Sequence, residues 1–126
     1  MKNINMSRVK IIAEIGPNHN GSLKLAKQII KKISKLDIDY IKFQFSNPNK
    51  VYSKDSFKAN YQKKNDGNRP VIEMSKRNQL SINEHLELSK YCSYFKKKYC
   101  CSFFDLNSIE KIDKKINLPF YKIPSG

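Results

Sequence analysis

The stretch VKIIAEIGPNHNGSLKLAKQIIKKISKLDIDYIKFQF, Val9 to Phe45, decides the fold. It opens with the short, apolar, β-branched run Val9 to Ile15, which Gly16-Pro17 ends, and this predicts a buried strand stopping at a turn. Pro17 to Gly21 then reads as a loop. Ser22 is placed to cap a helix in which Leu23, Ala26, Ile29, Ile30, Ile33 and Leu36 recur at helical spacing, with lysines on the opposite face. Tyr40 to Phe45 is apolar at alternate positions and predicts a second strand, with Lys42 and Gln44 near its C-terminal end.

Working outward, Ser46 to Gln79 is a long connection rich in Asn, Lys, Ser and Pro, with Tyr52, Phe57 and Tyr61 scattered through it. It is too long for a tight βα turn, and such loops are usually functional or mobile. Ser81-Ile82-Asn83-Glu84 forms a capping box that opens a helix to about Lys97. Tyr99 to Phe104 predicts a third strand. Asn107-Ser108-Ile109-Glu110 repeats the capping pattern before a short helix to about Ile116, and Phe120 to Ile123 predicts a fourth strand. This alternation implies an α/β fold with a parallel sheet and right-handed crossovers. Four strands with their helices are half of an eightfold βα barrel, which takes about 250 residues. The expected fold is therefore a partial TIM-type (βα) barrel, roughly its first four strands, with a small open α/β sandwich as the competitor.

At 126 residues the chain is one domain or part of one. Its hydrophobic fraction of 39% recurs in short blocks, which marks a folding chain. The net charge of +14 is nearly all lysine and is spread along the sequence, with only Arg8, Arg69 and Arg77 as arginines. No basic strip is interleaved with aromatics, so the charge reads as a solvated surface with some attraction for anionic metabolites, not as a nucleic-acid site. Cys92, Cys100 and Cys101 form neither a disulfide framework nor a CxxC clip and fit a reducing cytoplasm. Neither a signal peptide nor a membrane span is expected.

Glu14, Lys42, Gln44, Ser102, Lys122 and Ser125 fall at or just past the C-terminal ends of the predicted strands. In a parallel βα fold those ends share one rim, where active sites form. Two lysines, two hydroxyls and a carboxylate suit a small, multiply anionic ligand with a polar partner. A strand-end lysine also snorkels into water without any function. Glu14 is the more telling residue, because a carboxylate in an apolar run needs a partner or a shifted pKa. His19 reads as a turn residue and His85, in a first helical turn, as a surface residue.

Ala13-Glu14-Ile15-Gly16-Pro17-Asn18-His19-Asn20-Gly21, followed one helix later by Ile41-Lys42-Phe43-Gln44, resembles the opening signature of the sialic acid synthase family, which makes N-acetylneuraminic, legionaminic and pseudaminic acids. Tyr61-Gln62-Lys63-Lys64, Leu80-Ser81 and Phe120-Tyr121-Lys122-Ile123-Pro124-Ser125-Gly126 continue the match in order along nearly the whole chain. The resemblance implies a transferase with a βα barrel. Carbon 3 of phosphoenolpyruvate attacks the aldehyde of an open-chain N-acetylated amino sugar resembling N-acetylmannosamine, water adds at carbon 2, and phosphate leaves. It implies that Lys42 and Lys122 hold the phosphate and carboxylate with help from Ser125. Glu14 is the candidate catalytic residue, and with Gln44 it matches positions that contact the sugar hydroxyls.

The family's Ser-Thr-Pro-Phe is Cys101-Ser102-Phe103-Phe104 here, where Ser102 supplies the threonine's hydroxyl and Phe104 falls on the phenylalanine that lines the sugar site. The resemblance also implies a manganese or magnesium ion, a homodimer, a second half-barrel and an antifreeze-like domain. The metal-binding histidines fall beyond Gly126, so no metal ligand is assigned among residues 1–126. Residues 1–126 are thus expected to be the N-terminal part of the barrel domain, inactive alone. The alternatives are a non-catalytic anion-binding remnant and a basic nucleic-acid-binding protein.

Overall fold

The computed structural model describes residues 8–53, 56, 60, 63–64 and 67–125. Strands β1 (Ile12–Glu14), β2 (Tyr40–Phe45) and β3 (Lys98–Phe103) form a parallel sheet in the order β1-β2-β3. Each crossover is built on a helix with its own start signal. Helix α1 (Leu23–Ile33) begins at Ser22, whose Oγ accepts the Leu25 N–H at 3.2 Å. Helix α4 (Ile82–Tyr94) begins with the predicted capping box, in which Ser81 Oγ accepts from the Glu84 amide and Glu84 from the Ser81 amide. Between β2 and α4 lie the short helices α2 (Pro48–Val51) and α3 (Val71–Arg77), and after β3 comes α5 (Leu106–Asp113).

The register decides what faces what. Glu14 pairs with Lys42 and Lys42 with Cys100, while Gln44 pairs with Ser102. Because side chains alternate along a strand, these polar residues share one face of the sheet. Ile41, Phe43, Tyr99, Cys101 and Phe103 take the other face and form the core with Ala26 and Ile30 of α1, Leu88 and Cys92 of α4, and Ile112 of α5. The helices thus cover one face and leave the polar face for chemistry.

Several expectations are corrected. The first strand is short and only partly covered: Val9 is 76% and Ile12 42% exposed. Among the described residues β1 has one strand neighbour, so a run apolar enough for a buried strand lies at the sheet edge. Its entry is pinned by Asp39, which accepts the Ile11 N–H at 2.9 Å and pairs with Lys10 at 3.0 Å. The long connection carries α2 and α3, which pack on each other. Phe57, Tyr61 and Gln62 of that connection, and Gly126, lie outside the described residues.

Helix α5 is capped by Asp105, not by Asn107. Asp105 accepts from the Ser108 amide at 3.0 Å, the Ser108 hydroxyl at 2.7 Å and the Asn47 amide at 2.7 Å. A carboxylate taking three hydrogen bonds outcompetes a neutral cap two residues later. The fourth strand is reduced to one parallel bridge between Ser102 and Lys122. Pro119 and Pro124 bracket that segment and supply no amide donors, which limits its ladder. The described residues therefore form a three-stranded parallel sheet, and the four-stranded partial barrel is not confirmed.

His85 is not a surface residue. It lies on the face of α4 that also buries Leu88 and Cys92, and it sits wholly inside the core, with Nδ1 2.7 Å from the Tyr99 hydroxyl. The rings of Phe43 and Phe45 pack against it edge-on. Among the described residues no helix is long and apolar enough to cross a membrane.

Candidate functional site

Lys42 is the centre of the polar face. Its side chain is only 15% exposed, its ammonium donates to Ser102 Oγ at 3.0 Å, and it forms an ion pair with Glu14. Glu14 is 44% exposed, so it is a paired rim carboxylate and not the isolated buried group its apolar run suggests. Ser102 is buried. Three strands contribute one residue each to this cluster.

Beside it opens a cavity of about 310 Å³, with Gly16, Pro17, His19, Gln44 and Phe104 along one side. The turn after β1 shapes that side. Asn18 donates through Nδ2 to the Ile15 carbonyl at 2.7 Å, and the Gly21 amide donates to His19 Nδ1 at 3.1 Å. The neutral His19 ring therefore carries its proton on Nε2. Burial holds the His19 pKa below its usual value, against an opposing pull from Glu84. His19 thus fits the turn role read from sequence, and it also lines the cavity.

Gly21 adopts φ +73°, and a Cβ there would lie 2.1 Å from the Arg77 carbonyl oxygen at the end of α3. The turn and α3 are locked together through the missing side chain. Gly21→Ala is expected to destabilise the fold by about 2 kcal/mol, against about 1 kcal/mol for Gly67→Ala, where only the left-handed backbone is at stake. Gly67 has φ +68° and open space around its Cβ position. Urea unfolding of both variants checks the ranking, and equal losses would mean that the Arg77 contact does not hold the turn.

The other side of the cavity comes from the long connection: Ser46, Tyr52, Met74, Asn78 and Gln79 all line it. None of these was a candidate from the sequence, because the connection has no periodicity to show which residues face inward. Of the predicted site residues, Glu14, Lys42 and Ser102 are brought together, and Gln44 and Phe104 line the cavity. Lys122 bridges to Ser102 through its backbone, but its ammonium donates to the Ile123 carbonyl, and Ser125 is exposed. Neither side chain joins the Lys42 cluster.

Among the described residues no three His, Cys, Asp or Glu side chains gather as a metal site would require. The three cysteines are free and buried, and burial pushes each thiol up to about 12, so they are protonated packing groups. His19 Nδ1 is occupied by the Gly21 amide, and His85 is sealed in the core. The residues described here do not fit a divalent-ion site.

The NeuB family profile matches residues 29–126. An N,N'-diacetyllegionaminic acid synthase of Campylobacter jejuni is 34% identical over 122 residues, which cover 96% of this chain and 36% of that protein. Its counterpart in Legionella pneumophila is 35% identical over 117 residues, covering 92% of this chain and 33% of that protein. The crystal structure of an N-acetylneuraminic acid (sialic acid) synthetase from Leptospira borgpetersenii serovar Hardjo-bovis, in complex with citrate, superposes with a TM-score of 0.76 at 23% identity. That match covers 93% of this chain and 36% of that one, and at such identity it speaks for the fold alone. The chain spans about a third of the length of the curated relatives it matches.

Proposed function

The chain belongs to the NeuB family, whose relatives named above are synthases of legionaminic and sialic acids, and we propose that it forms the phosphoenolpyruvate-binding part of such an enzyme. The proposed reaction joins carbon 3 of phosphoenolpyruvate to the aldehyde carbon of an N-acetylated amino sugar. Water adds at carbon 2 and inorganic phosphate departs, leaving a nonulosonic acid. The observation that carries this reading is Lys42: a largely buried lysine held by Ser102 and Glu14 on the polar face of the sheet, beside a cavity whose walls include His19, Gln44 and Ser46. A largely buried cation oriented by Ser102 is suited to a carboxylate or phosphate, which would replace Glu14 as its partner in a charge-assisted contact.

Glu14 neutralises Lys42 in the free protein, and its exposure gives it room to turn toward the cavity when a polyanion takes over the ammonium. There it would orient the attacking water or a sugar hydroxyl, with Gln44 hydrogen-bonding other hydroxyls and Phe104 supplying an apolar wall. Lys122 and Ser125 would complete the anion site after the Lys122 ammonium leaves the Ile123 carbonyl. The manganese or magnesium ion that the resemblance implies would take its ligands from other parts of the enzyme. A second half-barrel, an antifreeze-like domain and a homodimer partner would supply those parts, in a cytoplasmic setting.

Calorimetric titration tests the reading. Saturable binding of phosphoenolpyruvate, displaced by inorganic phosphate and far tighter than that of pyruvate, is the expected result; absence of saturable binding would overturn it. The 126 residues alone are expected to give no nonulosonic acid, and product from the purified chain would refute that.

A further inference from the structure

Gln79 stands where the long connection enters α4, and nothing in the strand pattern marks it. Its Nε2 donates to Ser46 Oγ at 3.2 Å, while its Oε1 is buried and has no hydrogen-bond partner among the described residues. Both Gln79 and Ser46 line the cavity beside Lys42. A buried amide oxygen left unpaired has lost its hydration with nothing in exchange, so such atoms in a site are generally completed by a ligand or an ordered water. The backbone around Gln79 is well anchored. Leu80 is buried next to it, and two residues upstream the Arg77 carbonyl abuts Gly21. An acceptor held so firmly is poised before any ligand arrives.

We propose that Gln79 is a specificity-determining residue, whose amide oxygen accepts a hydrogen bond from an O–H or N–H donor of the sugar substrate. The assignment rests on the proposed function for the identity of that substrate. The chemistry separates the two reactants. Phosphoenolpyruvate is an anion with no donors when fully ionised, and an amide oxygen repels it. An acylamino sugar carries both hydroxyl and amide donors. Lys42 and Gln79 therefore divide the cavity's surroundings into a cationic place for the one and an accepting place for the other.

The test is a pair of titrations of the 126-residue chain, one with N-acetyl-D-mannosamine and one with phosphoenolpyruvate, followed by amide chemical shifts. Gln79→Met is close to isosteric and removes the acceptor; it is expected to weaken the sugar about tenfold and to leave phosphoenolpyruvate within about twofold. Gln79→Glu keeps an acceptor oxygen and is expected to hold the sugar within about threefold, which keeps the test decisive if the methionine variant fails to fold. Unchanged sugar affinity in Gln79→Met, or its loss in a folded Gln79→Glu, overturns the assignment. A wild-type chain that binds phosphoenolpyruvate but not the sugar overturns it alone, whereas one that binds neither also overturns the function it rests on.

Discussion

Lys42→Met is expected to weaken phosphoenolpyruvate binding by about a hundredfold or more, equivalent to roughly 3 kcal/mol, while the chain stays folded. The size follows from geometry. The lysine side chain is largely withdrawn from water and already fixed on Ser102, so its hydrogen bond to an anion is charge-assisted and weakly screened. The structural cost of the change is smaller. Methionine fills much of the same volume, the abandoned Glu14 faces solvent, and Ser102 loses one donor, for a total of about 1 kcal/mol.

Lys42→Arg is expected to restore little, since the planar guanidinium does not fit the single-point contact between Glu14 and Ser102. A control is needed because the surface carries many lysines. Lys32→Met, on the exposed face of α1, removes the same charge from an unrelated place and should leave affinity unchanged. Calorimetry with thermal unfolding of each variant decides the matter. Equal losses in Lys42→Met and Lys32→Met would reduce the binding to a general attraction between an anion and a chain of charge +14.

Lys42 and its partners were legible because a period of two is a one-dimensional signal. Once Tyr40–Phe45 reads as a strand, Lys42 and Gln44 share a face, and parallel pairing brings Glu14 and Ser102 beside them. What surrounds an element is not written in its own residues. Val9 to Ile15 has the composition of a covered strand, yet cover depends on neighbours that a local pattern cannot count. His85 shows the same limit on a helix. The capping box located the start of α4, but only packing against Phe43 and Phe45 reveals that the fourth helical position faces the sheet.

The cavity wall was least legible. Gln79 and Ser46 are 33 residues apart in a connection without periodicity, so only the fold shows that they touch. Gly21 was visible as part of a turn, but the need for glycine comes from the Arg77 carbonyl, which is remote in sequence. Asp105 won over Asn107 because it also receives the amide of Asn47, the residue that caps α2, a partner no local capping pattern includes.

The buried His85 makes a second large effect, on stability at acidic pH. Burial, with a smaller contribution from His19, pushes its pKa down to about 3 from an ordinary value of 6.5. The folded chain therefore keeps His85 neutral down to about pH 3, whereas the unfolded chain takes up a proton as pH falls through 6.5. Stability from this group is fully present above pH 6.5 and declines below it by about 1.4 kcal/mol per pH unit, to a total on the order of 4 kcal/mol near pH 3. His19, also lowered by burial, adds in the same direction. Asp39 and Asp105, whose pKa values are lowered from 3.8, contribute stability that is lost only below about that pH.

The window from pH 6.5 to about 4.5 therefore isolates the histidines. Replacing His85 with phenylalanine alone would strand the Tyr99 hydroxyl, so the informative variant is His85→Phe with Tyr99→Phe, which removes both buried polar groups together. Urea unfolding from pH 7.5 to 4.5 should show the wild type losing stability steadily below pH 6.5 and the double variant losing clearly less, the remainder belonging to His19. At pH 7.5 the double variant should be at least as stable, because the wild-type His85 Nε2 already lacks a partner among the described residues. Tyr99→Phe alone should keep the full pH slope, since burial and not the tyrosine drives the shift. An unchanged slope in the double variant would mean that His85 is hydrated or reachable by protons in the folded chain.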